Sequence, residues 1–211
     1  MMQHSMPESL ERPNSLEKAK GAIVEIGPGF EPMRMIPNIS GIARKRIDEG
    51  VPYYAIDHSE FALGQVKEGA VIRTTLEKFA DTDFLDRSVA SINVFNVFGE
   101  PWSKKRRDTY LGEIFNKFHR MLSDNGHVVI GEIYTPDNAQ HILALPYDAY
   151  GFEMKAYKGI EACRHALKEM GFVEDALHRM GSFPGSEKKY GEPFVIVLTS
   201  KRKMDIGGDA V

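Results

Sequence analysis

Two carboxylates and a pair of glycines are the residues whose types and spacing could do chemistry together in this chain. In Ala22 to Pro32, AIVEIGPGFEP, a short apolar run carries Glu25 and opens into Gly27, Pro28 and Gly29. Glycine has no Cβ, so a turn built on Gly27 and Gly29 lets the backbone bend sharply and approach a nucleotide-like ligand. A second run, Tyr53 to Asp57 (YYAID), ends in a carboxylate. Such a bidentate acceptor at a strand end suits two adjacent ribose hydroxyls. The blander readings are a plain strand end for the glycines, a buried carboxylate satisfied by backbone groups for Glu25, and a solvated strand-end acid for Asp57. The dinucleotide fingerprint places a third glycine three residues after the second, but Pro32 stands there. That weakens a nicotinamide or flavin reading.

For these groups to meet, both runs must be strands with the glycine turn at their C-terminal edge, where open α/β sheets bind ligands. Gly29 and Asp57 lie further apart than the roughly twenty residues of the dinucleotide fold. Pro37 accounts for the excess by interrupting a helix near Pro32, leaving a helix from about Asn38 to Glu49 stopped by Gly50. Beyond Asp57, strands alternate with helical patterns, which predicts a largely parallel sheet covered on both faces. Helices are expected at Ser59 to Lys67, in part at Thr82 to Asp86, and at Ser103 to Leu122, where Tyr110, Leu111, Ile114, Phe115, Phe118 and Leu122 recur at helical spacing. A helix over Tyr157 to Met170 ends at Gly171. A sixth strand at Val173 to Arg179 and a seventh at Phe194 to Thr199 are then expected to form a hairpin through Gly181 to Gly191.

Composition narrows the class. A chain of 211 residues with 42% hydrophobic content can bury one good core, so residues 21–200 are expected to form one domain. The polar lead, residues 1–20, is read as a loose segment or a short helix from Ser15 that could fold over the site, and 201–211 as a disordered tail. A net charge of −3 gives no electrostatic footprint for nucleic acid, which is disfavoured as a partner. The single cysteine, Cys163, has no partner for an internal disulfide, and neither a signal peptide nor an eighteen-residue apolar run occurs. A cytoplasmic protein without a membrane partner is the expectation. The seven histidines are scattered without ligand spacing, so no metal site is expected.

With EIGPG at Glu25 to Gly29 and Asp57 in place, the chain resembles the class I S-adenosylmethionine-dependent methyltransferases. The likeness continues in order through VIRTTLEKF (Val71 to Phe79), SINVFNVFGEPW (Ser91 to Trp102), MLSDNGHVVIGEIY (Met121 to Tyr134) and EPFVIVLTS (Glu192 to Ser200). It implies a three-layer Rossmann-like α/β sandwich, with a seven-stranded, mostly parallel sheet whose final strand is antiparallel. It also implies methyl transfer from S-adenosylmethionine as cofactor. On that resemblance Glu25, Gly27, Pro28 and Gly29 surround the methionine end, and Asp57 holds the ribose. His58 flanks the adenine, Thr75 stands where an aspartate commonly bonds the adenine amino group, Leu76 packs on the ring, and Asn96 and Val97 lie beneath the sulfonium. Glu31 departs from the pattern by occupying the place of a third glycine, where its carboxylate could repel that of the methionine moiety.

NVFGEPW after the fourth strand differs from the asparagine or aspartate, proline, proline, aromatic motif of amino-directed nucleic-acid enzymes. A small-molecule acceptor is therefore expected. Its site is read into a lid, residues 135–156, with Trp102, Tyr134, Tyr147 and Tyr150 as lining residues. His141 is the candidate base, with Glu132 and Tyr134 as competitors. The basic run Lys104 to Arg107 is a solvated helix start or a contact for an acidic acceptor. Two other readings stay open: a non-catalytic binding protein that retains the fold, and a nicotinamide-dependent oxidoreductase on a related one. The acceptor atom and the oligomeric state are not set by the sequence.

Overall fold

The computed structural model describes residues 21–27, 51–57, 70–73, 86–95, 97–98, 104–134, 139–170, 172 and 191–201. Short apolar runs become the strands β1 (Ala22–Ile26), β2 (Tyr53–Asp57), β3 (Ala70–Arg73) and β4 (Val89–Phe95). Side chains of β1, β2 and β4 are buried at almost every position, as strands covered on both faces require. The amphipathic segment forms helix α1 (Lys104–Met121), which runs straight into β5 (Leu122–Tyr134). Its spaced Tyr110, Leu111, Ile114, Phe115 and Phe118 are all buried. Asp124 to Gly126 lie inside β5. There the pairing with β4 passes from Val89 opposite Leu122 to Ser91 opposite His127.

After β5 come the short helix α2 (Ala139–Leu143), a 3-10 turn at Tyr147–Tyr150, strand β6 (Phe152–Lys158), helix α3 (Ile160–Glu169) and strand β7 (Glu192–Ser200). The sheet order is β3-β2-β1-β4-β5-β7-β6. β1 to β5 are paired in parallel, while β7 is antiparallel to both β5 and β6. This is the seven-stranded, mostly parallel α/β sheet with an antiparallel last strand that the sequence predicts.

One strand of the sheet is not announced by the sequence. It lies at Phe152–Lys158, across the end of the expected lid and the start of an expected helix. Being the outermost strand, it buries only Phe152 fully and leaves Glu153 to Ala156 exposed, so it lacks the apolar run that marks the central strands. The helix assigned from Tyr157 starts at Ile160, after Gly159 turns the chain with φ of 83°. Val173 to Arg179 lies outside the described residues, as does the connection before Gly191.

Alternation along the strands builds two cores. One face of the sheet, carrying Val24, Ile26, Ile92, Val94, Val128, Ile130, Ile196 and Leu198, packs on α1, Ile142 of α2, Tyr147 and Phe152. The other face, with Phe95, Val129, Val195 and Val197, packs on Cys163, Ala166 and Leu167 of α3 and on Phe172. The result is a three-layer sandwich. The carboxyl ends of β1, β2, β4 and β5 all lie along one edge.

Candidate functional site

The chain reverses its direction of sheet growth between β1 and β4, and a crevice forms outside strand ends at such a switch point. Gly27 caps β1 there with φ of 65°, a left-handed backbone that glycine adopts without a Cβ penalty. Its N–H donates to the Ile56 carbonyl at 2.9 Å. That bond sets Gly27 beside the end of β2, where Asp57 follows Ile56, and Asp57 is 9% exposed. It also means that the Gly27 amide is held within the sheet. Since Pro28 has no N–H, any amide presented to a ligand by this turn belongs to Gly29 or later residues.

Glu25 is 1% exposed, and its Oε2 accepts a hydrogen bond from the Tyr53 hydroxyl at 3.0 Å. Parallel register puts Asn93 of β4 directly alongside Glu25. Asn93 is fully buried; its Oδ1 accepts from Ser91 Oγ at 2.8 Å, and its Nδ2 has no hydrogen-bond partner among the described residues. A buried carboxylate is tolerable only with donors around it, and Tyr53 supplies one. Neither Tyr53 nor Asn93 stands out in the sequence, because each reads as an ordinary strand residue until the register is known.

Glu132 lies near the end of β5. It is 4% exposed, and one oxygen, Oε1, accepts the backbone N–H groups of Val97 and of Phe98, each at 2.8 Å. Burial pushes its carboxyl up to about 7, although the amides of Phe98 and Val97 pull the other way. The loop after β4 is thereby fixed from the neighbouring strand. Val97 in turn lies over the glycine turn: a Cβ built on Gly27 would fall 2.5 Å from Val97 Cγ2.

Four residues expected on the acceptor side are described. Tyr147 is buried, donates its hydroxyl to the Ile142 carbonyl at 2.7 Å, and packs edge-on against Phe115 with ring centroids 5.0 Å apart. Tyr150 stacks on the same Phe115 at 6.0 Å. Both rings therefore fasten the 3-10 turn to α1. His141 is half-buried on α2. Tyr134 is the last residue of β5, opposite Glu192 of β7. Pro28, Gly29, Glu31, His58, Thr75, Leu76, Asn96 and Trp102 lie outside the described residues. Among the described residues no cluster of three or more histidine, cysteine, aspartate or glutamate side chains could hold a metal ion, and no helix is long and apolar enough to cross a membrane.

No family description and no curated protein matches the sequence. Solved structures do match. A SAM-dependent methyltransferase from Archaeoglobus fulgidus superposes with a TM-score of 0.53 at 10% identity, over 87% of each chain. The phosphoethanolamine N-methyltransferase 2 of Haemonchus contortus, in complex with phosphomonomethylethanolamine and S-adenosylhomocysteine, gives a TM-score of 0.52 at 13% identity, over 87% of this chain and 49% of that one. The fold is that of the class I S-adenosylmethionine-dependent methyltransferases. The same methyltransferase fold is shared with the [4+2]-cyclase SpnF, at a TM-score of 0.50 and 12% identity over 87% of this chain and 76% of that one. Fold likeness at these identities therefore does not fix the reaction. The described part of the edge fits the cofactor of a methyltransferase fold: a left-handed glycine at the end of β1, a carboxylate at the end of β2 one residue past its bonded partner, and a third strand end held still by Glu132.

Proposed function

We propose that this protein binds S-adenosylmethionine at the carboxyl ends of β1, β2 and β4 and transfers its methyl group to a small-molecule acceptor. The observation that supports this reading is the hydrogen bond from Gly27 N–H to Ile56 O, which joins the end of β1 to β2 one residue before Asp57, at the switch point. S-adenosylmethionine, when bound, supplies a methyl group already activated on a positive sulfonium. Little more than positioning is then asked of the protein. Asp57 is assigned to the two ribose hydroxyls, and Glu25, held by Tyr53, to the methionine end with Pro28 and Gly29. Val97 and Asn96 are assigned to the floor beneath the sulfonium, and His58, Thr75 and Leu76 to the adenine. Trp102, Tyr134, Tyr147 and Tyr150 are the proposed acceptor-side residues, and His141 the candidate base for an acceptor that must lose a proton.

Calorimetric titration with S-adenosylhomocysteine tests the cofactor. Asp57→Ala removes a pair of charge-assisted hydrogen bonds worth roughly 1.5 to 3 kcal/mol, so affinity is expected to fall at least about tenfold. Unchanged affinity would remove Asp57 from the site. A second reading, in which the cofactor pocket serves something other than methyl transfer, is favoured by the likeness to a cyclase. Tight binding of S-adenosylhomocysteine without methyl transfer to any of a panel of amine, hydroxyl and thiol acceptors would support it. Stabilisation by NADH and not by S-adenosylhomocysteine would instead support the nicotinamide reading.

A further inference from the structure

Glu132 is a buried carboxylate that the proposed methyl transfer does not use, and it connects three strand ends. From β5 it accepts the amides of Val97 and Phe98 through a single oxygen. Phe98 is buried and packs against Phe115 of α1, with ring centroids 5.7 Å apart, so the loop is held on its helix side as well. Val97 reaches Gly27: its Cγ2 occupies the space that a side chain there would need. We infer that Glu132 is a positioning residue for the cofactor turn: by fixing the backbone at Val97 and Phe98, it holds the Val97 side chain as a brace against Gly27. This rests on the proposed cofactor site. It assigns to a residue of β5 a role in binding at the end of β1, two strands away in the sheet.

Glycine at position 27 is then required twice, for its left-handed backbone and for the room taken by Val97. Replacing Glu132 by leucine leaves two buried N–H groups without their acceptor, and the loop must move to satisfy them. Glutamine keeps a carbonyl oxygen in the same place. The two variants therefore separate the clamp from the mere presence of a side chain.

The test combines S-adenosylhomocysteine affinity by calorimetry with amide hydrogen exchange at Val97 and Phe98 in the full chain. Glu132→Leu is expected to weaken binding about tenfold and to speed exchange at both amides, while Glu132→Gln stays within about threefold of the wild type. Phe118→Leu loosens the same core without touching the clamp and is expected to leave affinity unchanged. Val97→Ala keeps the clamp but removes the brace. It should weaken binding a few-fold and ease the defect of Gly27→Ala in the double variant, and it remains informative if Glu132→Leu does not fold. Wild-type affinity in Glu132→Leu or Val97→Ala, wild-type exchange in Glu132→Leu, or an equal loss in Phe118→Leu would overturn the inference. A wild-type protein that does not bind S-adenosylhomocysteine would instead overturn the cofactor site, and exchange at the two amides still reports whether the clamp exists.

Discussion

A buried carboxylate that accepts two amides and still has its carboxyl raised to about 7 is held at a net cost when ionised: desolvation outweighs the hydrogen bonds. The consequence for stability has a definite sign. A group whose proton affinity is higher in the folded than in the unfolded chain binds a proton on folding between about pH 4.5 and 7, so stability falls as the pH rises through that window. Glu132→Gln removes this titration while keeping an oxygen for the amides of Val97 and Phe98. It should match the wild type near pH 5 and be more stable at pH 8, by something on the order of 2 kcal/mol. Urea unfolding at the two pH values checks this, and a glutamine variant no more stable at pH 8 contradicts it. At this scale the sequence was half legible. Glu25, Gly27 and Asp57 declare themselves by standing at the ends of apolar runs, whereas Glu132 is separated by 34 residues from the nearer amide it holds. No local pattern connects them. Only register brings Glu132 beside the loop after β4, and only register brings Tyr53 within reach of Glu25.

The elements differ in how they are held, and this decides what single substitutions do. Phe115 of α1 is fully buried and touches the rings of Phe98, Phe118, Tyr147 and Tyr150, joining the loop after β4, the helix and the 3-10 turn. Truncation to alanine removes that junction and is expected to cost about 3 to 5 kcal/mol. Tyr147→Phe leaves the ring in place but removes the shorter of the two donors to the Ile142 carbonyl, leaving the Leu145 N–H at 3.4 Å, at an expected cost of about 1 kcal/mol. Denaturant midpoints for the two variants should rank in that order, and equal losses would show that the ring packing is not what holds the turn. The contrast also explains which elements could be read in advance. β1, β2, β4 and α1 are dictated by burial on two faces or one stripe, and burial writes itself into a sequence as apolar runs or helical spacing. β6 has four consecutive exposed residues and is fixed mainly by its backbone pairing with β7, from Phe152 opposite Ser200 to Lys158 opposite Phe194. Backbone pairing leaves little trace in side-chain chemistry.

Across the whole molecule, the proposed cofactor edge and α3 lie on different parts of one sheet, and Cys163 allows their coupling to be measured. It is the chain's single cysteine, so a thiol reagent reports on one place. Its thiol is fully buried on α3 and donates towards the carbonyls of Tyr157, at the end of β6, and Pro193, at the start of β7, at 3.5 and 3.4 Å. Burial pushes the thiol up to about 12, with Glu192 adding to the rise and a backbone bond from Val195 opposing it. At pH 8 the thiolate is therefore scarce as well as inaccessible, and a disulfide reagent such as DTNB must wait for the structure to open. Two openings are possible. If α3 peels away locally with β6 and β7, the β1, β2 and β4 edge stays intact and a ligand bound there makes no difference to labelling. If the sheet opens as one cooperative unit, anything that binds only the folded edge slows labelling by the factor by which it depletes the open state. The continuous pairing from β1 through β4 and β5 to β7 favours the second case. At about one hundred times its dissociation constant, S-adenosylhomocysteine should then slow Cys163 labelling by about one hundredfold, equivalent to about 2.7 kcal/mol. A labelling rate that ignores the ligand, in a protein shown by calorimetry to bind it, would place α3, β6 and β7 in a separate unit that opens without disturbing the site.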